Sequence, residues 1–268
     1  MTSPRPPADA WKDQVARRFG AASAGYDDAA GSQQAIATRL AEQCLSRLQE
    51  RAPRRVLEIG CGTGFLTAAL LPALPSVADW HATDLAAPML AATRQRIEAL
   101  GIAPTRVHTA VMDGEAPTLS GQWDLVCSSL AVQWFRDVRA GLQRLIDSLA
   151  PGGLLAVTTL GCDSFALWQQ VCAEDGLSTF ASRYPDADRL RQWFPSASIH
   201  EHHQPLDSEA TGMAFLRALR AIGADSPPPD HQPAPPAALR RAIRRLGARS
   251  GGTYHVLTVL VERPCDAR

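Results

Sequence analysis

Glu58, Gly60, Gly62, Gly64, Asp84 and Asp113 are the residues whose types and spacing could do chemistry in this sequence. Val56-Leu-Glu-Ile-Gly-Cys-Gly-Thr-Gly64 is a short apolar run with an acid, followed by glycines at every second position. Glycines at such a bend let the backbone turn sharply and approach a ligand closely. A strand that feeds a glycine turn, with a helical pattern from Phe65, opens a nucleotide-binding βα unit. The spacing is Gly-x-Gly-x-Gly, whereas a pyrophosphate would need the longer Gly-x-Gly-x-x-Gly loop and a free helix N-terminus. Glu58 suits a ligand whose end carries an ammonium and a sulfonium. A tight turn with no ligand and a nicotinamide site are the alternatives. Cys61 sits inside the loop as a small filler and has no paired base that would make it a nucleophile.

Such residues need strands to aim them. Periodicity predicts strands at Arg55–Ile59, Trp80–Asp84, Arg106–Val111, Trp123–Cys127 and Leu154–Leu160. Helical patterns cover Trp11–Phe19, Ser32–Leu48, Phe65–Leu71, Pro88–Leu100 with Gly101 as a stop, and Arg136–Leu149. The small-residue stretch Gly20–Tyr26 reads as flexible. Strands alternating with helices make a doubly wound α/β sheet with right-handed crossovers. Asp84, Asp113 and Ser129 then stand at successive strand ends, where open α/β sheets bind ligands. Asp84 can accept two ribose hydroxyls, although an acid there is also a common helix cap. Met89 can cover an adenine face or fill the core. Leu85, Met112 and Gly114 adjoin these positions and join the candidate cofactor set. Asp113-Gly114 is equally a strong turn dipeptide. The C-terminal third adds strands at Ser198–Leu206 and Thr253–Glu262, helices at Ser208–Ile222 and Leu239–Leu246, and a polyproline-like loop at Ser226–Pro236.

Composition narrows the function. The 268 residues are 46% hydrophobic and carry no formal net charge, so no global field points to nucleic acid. The basic residues are arginines except for Lys12. Six scattered cysteines contain no Cys-x-x-Cys pair and read as reduced thiols of a cytoplasmic protein, with no metal site expected. Residues 1–10 read as a disordered leader and not a signal peptide. No apolar run reaches the 18 residues that a membrane span needs.

Glu58-Ile-Gly-Cys-Gly-Thr-Gly64 resembles motif I of class I S-adenosylmethionine-dependent methyltransferases. The resemblance implies a seven-stranded, mostly parallel, Rossmann-like sheet closed by an antiparallel strand, with an N-terminal helical lid. It implies S-adenosylmethionine as cofactor and an Asp113 contact to the adenine exocyclic amine. The expected organisation is one domain over residues 11–268: a lid at 11–50, a cofactor core at 54–160 and a substrate-side region at 161–268.

Three further segments are similar to the malonyl-acyl-carrier-protein O-methyltransferases of biotin synthesis. They are Val15–Phe19 with Ala21–Tyr26; Ser128-Ser-Leu-Ala-Val-Gln-Trp134 with Pro151-Gly-Gly and Thr158-Thr-Leu160; and Leu216–Ala224 with Thr253-Tyr-His255. Ser129 stands where an asparagine is common in that family, and Glu58 where some members have Asp. The resemblance implies methylation of the free carboxylate of a malonyl thioester, which primes pimeloyl synthesis. Its implied partner is acyl carrier protein, or malonyl-coenzyme A, with a monomer expected and no nucleic acid or membrane partner. The alternative is a small-molecule enzyme such as a trans-aconitate carboxyl methyltransferase. A carboxylate is already ionised at neutral pH, so no general base is required. Tyr26 is the candidate hydroxyl donor to substrate; Phe19 joins it in the lid, and Gln133 and Trp134 follow the fourth strand as pocket candidates. A cation for the carboxylate is sought at Arg220 or Arg217. Arg240, Arg241, Arg244, Arg245 and Arg249 form a stripe that suits an acidic carrier protein. His255 reads as a paired core histidine.

Overall fold

The computed structural model describes residues 8–48, 51–103, 106–119, 121–206, 213–227, 233–247 and 252–265. Seven strands form one sheet: β1 (Arg55–Ile59), β2 (Asp79–Asp84), β3 (Val107–Val111), β4 (Trp123–Ser129), β5 (Leu149–Leu160), β6 (Ser198–Pro205) and β7 (Thr253–Glu262). Their order is β3-β2-β1-β4-β5-β7-β6. β1 to β5 pair in parallel, and β7 runs antiparallel between β5 and β6. Strand order reverses between β1 and β4, so their carboxyl ends diverge and leave a crevice there.

Among the described residues, ten α-helices flank the strands: α1 (Ala8–Ala22), α2 (Tyr26–Ala29), α3 (Gly31–Arg47), α4 (Phe65–Leu70), α5 (Ala87–Ala99), α6 (Val138–Asp147), α7 (Ala166–Glu174), α8 (Ala187–Trp193), α9 (Met213–Ala221) and α10 (Pro236–Leu246). On one sheet face, Leu40 and Cys44 of α3 and Leu66 and Leu70 of α4 pack on Val56, Trp80, Leu125 and Ala156. On the other, Leu142 and Leu145 of α6 and Leu190 of α8 pack on Leu57, Val126, Leu155 and Val259. Alternate residues of β1 thus serve opposite layers, as the strand period of two requires. A third cluster joins Phe165, Phe215, Ala242, Leu246, Tyr254 and Val256.

Some expectations change. Ala8–Ala10 belong to α1 rather than to a leader; residues 1–7 lie outside the described residues. Gly20–Tyr26 is helical in character: α1 continues to Ala22, a 3-10 turn spans Ser23–Gly25, and α2 begins at Tyr26. Small side chains let this segment lie close to its neighbours; a Cβ on Gly20 would stand 3.3 Å from Pro88. β4 extends to Ser129, and β5 begins at Leu149, with a register shift between Trp123 and Leu125. α7 and α8 were not anticipated. The helix expected from Ser208 is seen from Met213, residues 207–212 lying outside the described residues. No helix among the described residues is long and apolar enough to cross a membrane.

Candidate active site

A cleft of about 920 Å³, counting the space open to solvent at its mouth, lies between the carboxyl ends of β1, β2 and β4 and the lid helices. Every cofactor candidate from the sequence lines it except Gly64. Glu58 is buried on β1, where Oε2 accepts from Thr67 Oγ1 at 2.6 Å and Trp80 Nε1 at 3.0 Å. Its Oε1 is buried with no partner among the described residues. Burial pushes the carboxyl up to about 7, against the lowering effect of the Thr67 and Trp80 hydrogen bonds. An acceptor in that state is stabilised by a cation brought into the cleft.

The glycine loop is wired to the next strand. Asp84 Oδ2 accepts from Gly62 N at 2.9 Å and Oδ1 from Ala86 N at 2.8 Å. Burial, the largest influence, still holds the Asp84 carboxyl above its usual range. Each of its oxygens keeps a lone pair for a ribose hydroxyl. Gly60 has φ +62°, and a Cβ there would lie 2.2 Å from Ala131 Cβ, so only glycine fits. Gly64 caps α4 at φ +89°, and a Cβ there would stand 3.3 Å from Thr93. Gly64 thus stands where the loop meets α5, outside the lining of the cleft. Met89 and Met112 line the cleft as buried side chains, and Cys61 Sγ lies 3.5 Å from Thr93 Oγ1. Burial raises the Cys61 thiol well above its usual range, so it is not a thiolate nucleophile.

The lid is fastened at two points. The lone lysine, Lys12 of α1, reaches Asp113 Oδ2 at 2.5 Å and Glu115 Oε2 at 2.6 Å. Asp113 Oδ1 also accepts from Glu115 N, so this acid closes its own turn while lining the cleft. Burial alone would raise the Glu115 carboxyl, but Lys12 and the Arg136 and Asp137 amides together hold it below its usual range. Asp27 of α2 accepts from Thr63 Oγ1 at 2.6 Å and pairs with Arg96.

A second cavity, enclosing about 460 Å³, adjoins the cleft. The two share Phe19, Tyr26, Gln33, Leu130 and Trp134. Trp134 meets Phe19 edge-on, with ring centroids 5.4 Å apart. Gln133 lines the second cavity only; its Nε2 donates to Leu130 O at 2.7 Å, and Oε1 is buried without a partner among the described residues. Leu130 and Phe165 line this cavity, and they are the two non-glycine residues with positive φ among those described, at 52° and 59°. Backbone strain of this kind costs about 1–3 kcal/mol per residue and gathers at functional sites.

Other candidates fall elsewhere. Arg220 is 74% exposed and pairs with Asp225 at 3.0 Å; neither it nor Arg217 lines either cavity. α9 buries Phe215 and Leu219, which turns both arginines outward. The arginine stripe on α10 is divided. Arg241 and Arg245 pair with Asp175 and Glu174 of α7, while Arg240 and Arg244 face solvent; Arg249 lies outside the described residues. His255 is buried, with Nε2 3.3 Å from Glu201 and its ring stacked on His203, as a paired core histidine.

Sequence reasoning missed Gln33, Tyr184 and Tyr254 at the second cavity and Lys12, Thr67 and Trp80 around the first. Gln33 left one signal: it shares a helical face with Ile36, Ala37, Leu40 and Cys44, where a polar residue needs a reason. Tyr184 left none.

Residues 57–155 match a family model described as a methyltransferase domain. A malonyl-[acyl-carrier protein] O-methyltransferase of Magnetococcus marinus is 38% identical over 95% of this chain and 94% of that protein. The chain belongs to the malonyl-[acyl-carrier protein] O-methyltransferase family. A biotin biosynthesis bifunctional protein BioCD of Bordetella avium is 43% identical over 87% of the chain, which spans about half of that longer protein (48%). Among solved structures, the YcgJ protein of Bacillus subtilis superposes with a TM-score of 0.59 at 12% identity, over 85% of this chain and 99% of that one. That likeness is one of fold.

Methyltransferases of this family use S-adenosylmethionine, and the cleft suits it. Its acids are Glu58, Asp84 and Asp113, and the unpartnered Glu58 Oε1 is an acceptor awaiting a cation. Glu58 would hold the ammonium end, Asp84 the ribose, and Met89, Met112 and Asp113 the adenine.

Proposed function

We propose that this chain methylates the free carboxylate of a malonyl thioester delivered by acyl carrier protein, giving the methyl ester that primes biotin synthesis. The observation that carries this reading is the shared wall between an acid-lined cofactor cleft and an aromatic cavity that has hydroxyl and amide groups but no base. When bound, S-adenosylmethionine supplies an electrophilic methyl group. Everything else falls to the chain. A malonyl carboxylate is ionised at neutral pH, so the chain need remove no proton. Accordingly, no histidine, lysine, arginine or carboxylate lines the second cavity among the described residues. Phe19, Leu130 and Trp134 exclude water from the junction, and Tyr26 can donate to one carboxylate oxygen while the other is turned toward the cleft.

Acyl carrier protein is an acidic partner, and Arg240 and Arg244 remain outward on α10 to meet it. The test is methyl transfer from labelled S-adenosylmethionine to malonyl-acyl carrier protein, with malonyl-coenzyme A and trans-aconitate alongside. A base-labile ester on the malonyl thioester is expected. Activity on neutral acyl thioesters alone, or on trans-aconitate alone, would sink the reading.

A further inference from the structure

The sequence contains three tyrosines, and all three line the second cavity. They come from separate parts of the chain: Tyr26 from α2, Tyr184 from the turn before α8, and Tyr254 from β7. Gln33 of α3 lies among them and donates from Nε2 to Tyr254 Oη at 3.0 Å. The Gln33 Oε1 is buried and has no partner among the described residues. A core has no need of phenols where phenylalanines would serve, since each buried hydroxyl must find a partner. Convergence of every phenol in the chain on one cavity therefore points to a ligand that accepts hydrogen bonds.

We propose that Tyr26, Tyr184 and Tyr254, with Gln33 setting Tyr254, form a neutral cradle that grips the substrate carboxylate by hydroxyl donors and supplies no cation to it. The proposal rests on the carboxyl-methylation reading above and names the groups that hold the reacting acid. It also replaces the arginine expected from the sequence, because Arg217 and Arg220 face away from the cavity.

The chemistry favours such a cradle. In the transfer, a carboxylate oxygen forms a bond to the methyl carbon as the carbon–sulfur bond breaks, and its electron pair stays on sulfur. A sulfonium and a carboxylate become a neutral thioether and a neutral ester, with no proton moved. Both charges fade in the transition state. A guanidinium fork clamped on the acid would stabilise the charged ground state more than the transition state and slow the step. Hydroxyls orient the acid by charge-assisted hydrogen bonds and leave the sulfonium as its counter-charge. Tyr26 and Gln33 also line the cofactor cleft, which places the two charges on either side of one wall. Burial, the largest influence, pushes the Tyr26 and Tyr184 hydroxyls far above their ordinary range, so they remain donors throughout the working pH range.

The experiment measures binding of malonyl- and propionyl-acyl carrier protein to the enzyme loaded with an analogue bearing an ammonium in place of the sulfonium. Wild type is expected to prefer the malonyl form. Tyr184→Phe and Tyr254→Phe keep the rings, and each should cut that preference roughly tenfold, the size of one hydrogen bond to a charged group. Analogue affinity should stay within about twofold, since neither residue lines the cleft. A malonyl preference that survives both substitutions overturns the cradle while leaving the methylation reading intact. So does its loss in Arg220→Ala, or a parallel fall in analogue affinity, which would make the hydroxyls mere structural supports. A wild type with no malonyl preference overturns the methylation reading itself, and the cradle with it.

Discussion

The cofactor cleft and the neighbouring cavity share a wall and differ in nearly everything else. The cleft is acidic, and its three acids, Glu58, Asp84 and Asp113, come from the ends of β1 and β2 and from just after β3. Its loop is tied to β2 through the Asp84–Gly62 hydrogen bond, and Gly60 leaves no room for a side chain beside Ala131. The second cavity is aromatic and uncharged, and it draws on α1, α2, α3, β5, α9 and β7. Its two strained residues, Leu130 and Phe165, are held by distant partners: Leu130 N donates to Thr158, and Phe165 N to Thr253 O. A cationic ligand asks for fixed acids, which a single βα loop can supply. An anionic acyl group that must react asks for orientation without neutralisation, and that takes donors from several elements.

Substitutions can break or sharpen this contrast. The largest effect is expected at Asp84→Ala, which removes both the loop tie and the ribose acceptor. Calorimetry should show cofactor affinity falling about 100-fold or more, with the malonyl thioester affected only through it. A loss below about fivefold would mean that the cleft is not wired through Asp84.

Next comes pH. Below about 7, Glu58 takes up a proton and ceases to attract the ammonium, so cofactor affinity should fall by up to about tenfold per pH unit. Glu58→Gln should flatten that dependence. Stability of the unliganded protein runs the other way. Between 4.5 and about 7 the folded Glu58 holds a proton that the unfolded chain has released, so stability drops as pH rises through that window. Denaturant titrations across it should show the drop in wild type and not in Glu58→Gln. The second cavity, with no such acid, should give substrate binding that is flat over the same range.

Lys12→Met probes the seam between the regions. The Lys12 contacts are largely buried, so their loss should cost about 1–2 kcal/mol of lid docking after solvent screening. Hydrogen exchange should speed up in α1, and cofactor affinity should weaken about fivefold. Unchanged exchange in α1 would show that the lid is held by Asp27 and packing alone. The smallest effect is expected for Arg220→Ala, below about twofold in methyl transfer, because an exposed pair with Asp225 contributes little.

Legibility in the sequence followed the same divide. The five parallel strands were readable within a few residues because apolar runs alternate with helical periods and end at Gly or Asp. Cofactor candidates were readable for a related reason: each follows a strand, and the topology sends all strand ends to one edge. The lid segment Gly20–Tyr26 misled, because small residues suit both a mobile loop and a close-packed helix, and only the neighbouring Ala86 and Pro88, close to Gly20, decide between them. Arg220 misled because charge suggested a role before its helix face was known.

The sequence by itself determined the succession of strands, the glycine loop, the acids that line the cleft, and the family resemblance. These depend on neighbours along the chain: periodicity, turn chemistry, and motifs a few residues long. Only the tertiary structure decided that Gly64 leaves no room for a side chain beside Thr93, that Lys12 clasps Asp113 and Glu115, and that Tyr26, Tyr184, Tyr254 and Gln33 meet in one cavity. Those facts join residues far apart in the chain; Gln33 and Tyr254, which share a hydrogen bond, are 221 positions apart. No local pattern records such a meeting, because it is fixed by how β7 inserts between β5 and β6 and how the lid closes over the sheet.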